Sequence, residues 1–262
     1  NSGTRSAGIV SPKASLIFTP SNNSELYLSG GYGFHSNDAR GTVITVDPSS
    51  GDAAQRVDPL VRSTGGEIGL RVSPVSQWRS TVALWALNLD SELLFVGDGG
   101  TTEPTNGSAR SGITFANFYR PIAPLSLDAD ISFARARLRG VPSDADNIPG
   151  ALERVVAAGI TWSGAAGGPF ASLRVRHFGA YPLIEDNAVR ATATTLVNAA
   201  SGLTVGGVRI QLSILNLLGS RASDIQYYYA SRLRGEPAGG VEDIHFHPVE
   251  PRQIRLTLVR GL

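Results

Sequence analysis

The sequence predicts an all-β antiparallel barrel that crosses a membrane with strands. Three features carry this prediction. About 11 segments of roughly ten residues alternate apolar with polar side chains. Short and long connections alternate between those segments. Charged residues gather on one face of the segments and leave the other oily.

The stretch LSLDADISFARARL (Leu125–Leu138) shows the pattern. Leu125, Leu127, Ala129, Ile131 and Phe133 form one face, and Ser126, Asp128, Asp130 and Ser132 the other. The first set is expected against lipid and the second against a wet lumen. Glu25–His35 repeats the arrangement, with Leu26, Leu28, Tyr32 and Phe34 opposite Glu25, Tyr27, Ser29 and His35. Gly65–Ser73 does the same, with Ile68, Leu70 and Val72 opposite Glu67, Gly69 and Arg71. Trp78–Val96 reads as one long or bent strand. Its first half is apolar on both faces, and its second sets Asn88, Asp90 and Glu92 against Leu87, Leu89 and Leu93. Further strands fall at Ala14–Pro20, Ser111–Arg120, Leu152–Trp162, Pro169–Tyr181, Thr192–Leu203, Val208–Leu218 and at the C-terminal end. Arg174 and Arg176 share the polar face of the Pro169–Tyr181 strand. Tight turns such as SNNS, PVSQ and PIAP alternate with long loops near 36–61, 97–108, 140–150, 184–191 and 219–250.

Composition narrows the class. The 262 residues carry a net charge of +1, which offers no field for nucleic acid. Only 17% are charged, low for a soluble domain. There is no cysteine, hence no disulfide or thiolate metal site. There is no methionine, position 1 included, which reads as a mature chain or a fragment. No run of about 18 apolar residues is present, so no membrane-crossing helix is expected. No Gly-rich phosphate loop, Cys/His metal spacing or nucleophile elbow appears. No catalysis and no cofactor are expected.

Aromatic residues give a second test, since a membrane barrel collects them at strand ends. Phe18, Trp78, Phe118, Tyr119, Trp162 and Phe170 lie beside short turns. Phe34, Phe95, Phe133, Phe178 and Tyr181 lie toward long loops, and Trp85 fits neither group. The competing reading is a sheet whose aromatics simply cap a dry core.

GYGFHSNDARG (31–41), DPLVRSTGGEIGLR (58–71) and LNLDSELLFVGDGG (87–100) resemble the barrel of TonB-dependent outer-membrane receptors. SILNLLGSRASDIQYYYASRLRGEP (213–237) with DIHFHPVEPRQIRLTL (243–258) resembles the end of that barrel. The resemblance covers nearly all of residues 1–262. It implies a 22-stranded barrel of which this is the C-terminal portion, a plug domain with a TonB box lying elsewhere, and a Gram-negative outer-membrane location. It also implies import of a ferric-siderophore or another scarce large nutrient, driven by the TonB–ExbB–ExbD system. The sequence ends at Leu262, where such barrels usually end in an aromatic residue. The alternatives are a passive porin-type channel and a soluble β-rich binding protein.

Candidate ligand contacts lie in loops or lumen. His35, Asp38 and Arg40 open the first long loop. Arg174 and Arg176 could attract an anionic chelate but are expected to pair with lumen carboxylates such as Asp128 and Asp130. Tyr228 sits in a run of three tyrosines suited to stacking on a ligand or to anchoring at the interface. His245 and His247 lie on one side of an extended segment, with Glu242 and Asp243 near; a loop packed by its own polar groups is the reading preferred over a metal chelate.

Overall fold

The computed structural model describes residues 1–47, 51–91, 93–96, 101–104, 106–165 and 167–260. Eleven strands form one antiparallel sheet in which each neighbour in space is the next strand of the sheet in sequence. They begin with β1 (Lys13–Ser21), β2 (Ser24–Ser36), β3 (Leu60–Val75) and β4 (Trp78–Leu89). Two short strands then leave the sheet, β5 (Leu93–Val96) and β6 (Thr101–Pro104). The sheet resumes with β7 (Ser108–Ile122), β8 (Leu125–Leu138), β9 (Arg154–Ser163), β10 (Phe170–Phe178), β11 (Thr194–Val205) and β12 (Val208–Leu215). A second excursion, β13 (Ser223–Ser231) and β14 (Val241–Pro248), precedes the last sheet strand, β15 (Gln253–Arg260). The sheet order runs from β1 to β15 as its two end strands.

Turn chemistry explains the short connections. β11 and β12 meet through Gly206 and Gly207, both with positive φ (56° and 76°), the conformation a tight hairpin of this hand requires. The remaining short connections, after β1, β3, β7 and β9, fall at the same end of the sheet. All five long ones fall at the other end.

Cross-strand register fixes two faces, because directly opposed residues share one. One apolar row runs Leu28, Ile68, Leu84, Ile113, Phe133. Another runs Tyr119, Leu127, Ile160, Leu173, Ala199, Ile214, Ile254. Most of these side chains are open on the protein surface: Leu28 is 54% exposed and Ile254 69%. An apolar patch of this extent exceeds what monomeric proteins leave in water. The other face carries Glu25, Glu67, Arg71, Asp128, Asp130, Arg174 and Arg176. Among the described residues no helix is long and apolar enough to cross a membrane, so any crossing is by strands.

Several expectations need correcting. Within β4 the faces are reversed from the alternation expected after Leu87: Asn88 opposes Ala109 on the apolar face, and Leu87 and Leu89 oppose Arg110 and Ser108 on the polar one. The segment Trp78–Val96 is not one strand. β4 stops at Leu89, and β5 pairs with β6 outside the sheet. Asp90 and Ser91 are turn formers, and Gly107 packs its backbone against the Leu89 and Asp90 carbonyls so closely that a side chain would collide. Asp90 is therefore a loop residue, 3.7 Å from Arg139, and not a lumen carboxylate; Glu92 lies outside the described residues. The 219–250 loop contains the β13–β14 hairpin, whose register joins Tyr227 to His245 and Tyr228 to Ile244. Phe118, Phe170 and Phe178 point to the polar face, by register with Asp128, Gly202 and Val155, so they belong to no lipid girdle. Trp85 also faces that side and donates to Thr114 Oγ1 at 3.3 Å, which explains why it fitted neither aromatic group.

Candidate functional site

Two regions collect the polar side chains: the polar face of the sheet and the long loops at one end. On the polar face, bulky groups lie flat across glycines of the next strand. The Tyr27 ring covers Gly69, and the Trp85 ring lies where a Cβ on Gly112 would be (2.6 Å to its Cζ2). Arg174 crosses Gly159 of β9 to reach Asp128 of β8, with Nη2 2.7 Å from Oδ2. Arg71 on β3 pairs with Glu25, the residue directly opposite it on β2. Arg176 takes a different partner, its guanidinium 5.1 Å from the Phe178 ring centre. The expected lumen pairing thus holds for Arg174 and not for Arg176, because Phe178 is the nearer group on its own strand.

The loop end is built differently. Tyr181, Leu183 and Ala191 of the β10–β11 loop form a small buried core. Leu152 from the β8–β9 loop and Tyr228 and Ile244 from the β13–β14 hairpin pack against it. Polar contacts repeat the linkage. The Gln226 amide donates to the Tyr181 hydroxyl at 3.2 Å. The Asn147 side chain donates to the Glu185 carbonyl at 2.8 Å, and Arg137 holds both Asn147 and Asp146. Burial pushes the Tyr181 phenol above its ordinary range. Three loops are therefore packed and hydrogen-bonded into one unit. Between them opens a cleft of about 410 Å³ lined by Ala145, Ile184, Glu185, Asp186, Tyr228, Tyr229 and Glu242.

The predicted residues distribute unevenly around this cleft. Tyr228 lines it, and its hydroxyl donates to Glu242 at 3.1 Å. That bond to a carboxylate raises the phenol's pKa. His245 stacks on Tyr229 with ring centres 3.8 Å apart and planes 17° apart. Alternation puts Tyr229, His245 and His247 on the hairpin face opposite Tyr228, so these candidates form two groups and not one. His247 sits 2.9 Å from Asp224. Among the described residues no three His, Cys, Asp or Glu side chains gather into a metal site. His35 Nε2 lies 3.2 Å from Asn37. Asp38 caps the short helix α1 (Ala39–Val43), accepting from the Arg40 amide at 2.8 Å and from its guanidinium at 3.0 Å. Arg40's grip, first its side-chain and then its backbone hydrogen bond, lowers the Asp38 carboxyl to about 2. These two residues satisfy each other at the far side of the mouth. Sequence reasoning missed Tyr181, Glu185 and Gln226; a buried loop core has no periodicity to reveal it.

Comparison with known proteins now fits this geometry. Residues 1–217 match the family described as TonB dependent receptor-like, beta-barrel. The chain belongs to that family. Solved structures of similar fold include the ferric-catecholate import receptor Fiu from K12 E. coli in its closed form (TM-score 0.69, 16% identity, 94% of this chain and 34% of that one). The ferric yersiniabactin uptake receptor FyuA from Yersinia pestis gives TM-score 0.67 and 14% identity, over 92% of this chain and 35% of that one. The siderophore receptor PiuA from Acinetobacter baumannii gives TM-score 0.68 and 14% identity, over 94% and 35%. The chain spans about a third of the length of these structures. No curated protein matches it by sequence. The apolar face is thus the barrel exterior and the polar face the lumen.

Proposed function

We propose that the chain forms part of the barrel of an outer-membrane receptor that imports a ferric-siderophore or a similar scarce, large nutrient, energised by TonB with ExbB and ExbD through a plug domain. The carrying observation is the family match over residues 1–217 on a sheet whose register separates an oily exterior from a charged lumen. The printed names of the similar structures support iron-chelate uptake. A copper transporter, OprC, has the same fold at TM-score 0.67, so the cargo class extends to other metals. In this reading the cleft beside Tyr228 and Glu242 is a first contact for ligand, with Tyr229 and His245 as a flat platform at its edge. The protein moves its cargo without chemical change.

Uptake of radio-iron chelates by cells with and without the gene tests this, in parental and TonB-deleted backgrounds. TonB-dependent uptake that follows the gene is expected. Uptake that persists without TonB would make the protein a passive channel. Recovery of the protein in the soluble fraction without detergent would overturn the membrane reading itself.

A further inference from the structure

Two rows of the lumen wall repeat one arrangement with a single difference. In the first, Asp128 of β8 and Arg174 of β10 both oppose Gly159 of β9, and the pair closes across it at 2.7 Å. In the second, two residues nearer the long loops, Asp130 and Arg176 both oppose Ala157. A Cβ at Gly159 would meet Arg174 Nη1 and Asp128 Oδ1 at 3.0 Å or less, so it would fill the space in which the first pair meets. Ala157 carries such a Cβ, and the second pair stays open. Asp130 and Arg176 face the lumen exposed, and neither has an ion-pair partner among the described residues.

Their neighbours leave both charges to a visitor. Ala116 on β7 opposes Asp130, and Leu196 on β11 opposes Arg176, so the flanking strands offer no polar partner. The Arg176 guanidinium lies 5.1 Å from the Phe178 ring centre. Stacking holds a guanidinium by its face and leaves its N–H edge free to take a carboxylate bidentately. The two charges stand on strands two apart, about 9–10 Å at the backbone. That gap takes one small head group, which must offer a cation to Asp130 and a carboxylate to Arg176. A lone anion would be repelled by Asp130, and a lone cation by Arg176.

We propose that Asp130 and Arg176 hold a zwitterionic, amino-acid-type end of the cargo, an ammonium and a carboxylate on one carbon, as it enters the lumen. The proposal rests on the import reading above and names a chemical class within it. Ala157 is the spacer that keeps the site open, and Phe178 orients the guanidinium.

The test uses the full natural protein in detergent and four radio-iron trihydroxamates that differ only at one end: γ-glutamyl (zwitterionic), amine (cationic), succinyl (anionic) and acetyl (neutral). Equilibrium dialysis measures each affinity. The zwitterionic form is expected to bind wild type about tenfold more tightly than the other three. Asp130→Asn and Arg176→Gln should each erase that preference. Ala157→Gly should erase it without changing any charge, because Arg176 can then cross to Asp130 as Arg174 crosses Gly159. Ala157→Ser keeps the Cβ and should keep the preference. Heat-dependent mobility on gels confirms folding, and the two charge variants decide the matter if the glycine variant does not fold. A wild type that binds the four alike, or binds none, overturns the site, as does an undiminished preference in any folded Asn, Gln or Gly variant. A succinyl form bound as tightly as the zwitterion would make Arg176 an anion contact alone and overturn the pairing. Recovery of wild type without detergent would instead sink the membrane reading, whatever the affinities show.

Discussion

Arg174 reaches Asp128 only because the residue between them on β9 is glycine. A Cβ at position 159 would lie 2.8 Å from Arg174 Nη1 and 3.0 Å from Asp128 Oδ1. One missing side chain lets an ion pair span three strands.

Gly159→Val should therefore break the pair by displacing it, and Asp128→Asn by removing its charge. The Arg174 side chain is 54% exposed, so the pair itself is worth about 1 kcal/mol at most. Thermal unfolding in detergent is expected to show a larger loss for Gly159→Val than for Asp128→Asn. The Asp128→Asn/Arg174→Gln double variant should cost less than the sum of its singles. Additive losses would mean that the two groups do not interact.

The two faces predict opposite tolerance to charge. Ile131→Arg places a guanidinium in the middle of the exterior band and should cost about 2–4 kcal/mol. Ser132→Arg, one residue on, enters the lumen, at the expense of the Thr114 hydroxyl contact at 3.2 Å. Refolding into lipid vesicles under urea is expected to fail for the first and to succeed for the second.

Removing the Tyr181 side chain should unlock the mouth. The ring is 8% exposed and holds three loops to one core, and aromatic truncations of this kind cost about 3–5 kcal/mol locally. Tyr181→Ala is expected to leave the sheet folded and to speed tryptic cleavage after Arg232 and Arg234, at the tip of the β13–β14 hairpin. Unchanged cleavage would show that the hairpin is held by something else.

Two titrations follow from the loop geometry. Asp38 has its folded pKa depressed to about 2, against an ordinary value of 3.8. Its cap thus contributes fully above the unfolded value and is lost as pH falls through about 2. Asp38→Asn should abolish that acid dependence in amide exchange of residues 40–42. Tyr228 has the opposite sign. Its folded pKa is raised by the bond to Glu242, so its contribution is present below the ordinary phenol value and lost as pH rises through the folded one. Loosening of the hairpin in alkali, followed by phenolate absorbance, is expected to vanish in Tyr228→Phe.

The sheet was legible because its physics is periodic. Leu125 to Phe133 had to alternate if one face met lipid, and the register places them as the alternation requires. The long loops were legible only as interruptions. Their contents hide because local pattern does not encode what a hairpin will pack against: Tyr228 and His245 are close in sequence terms yet fall on opposite faces once β13 pairs with β14. The break after Leu89 was missed for a related reason, since Leu93–Val96 is as strand-like as β4 but has its partner in Thr101–Pro104. Arg176 shows the limit for ion pairs: counting opposite charges on a face suggests a partner, and an aromatic ring two residues away supplies one first.

The ring-over-glycine arrangement also thins this stretch of the inner wall. Tyr27, Trp85 and Phe170 each lie across the adjacent strand's glycine, as does the Arg174 side chain over Gly159. Standing upright, each would reduce the clearance by most of its own length. Lying down, they leave a wall that is close to bare backbone in thickness while keeping aromatic and charged surface along it. A large cargo passing inside would then meet a smooth, shallow relief, with room beside it for water and for whatever else the bore must hold.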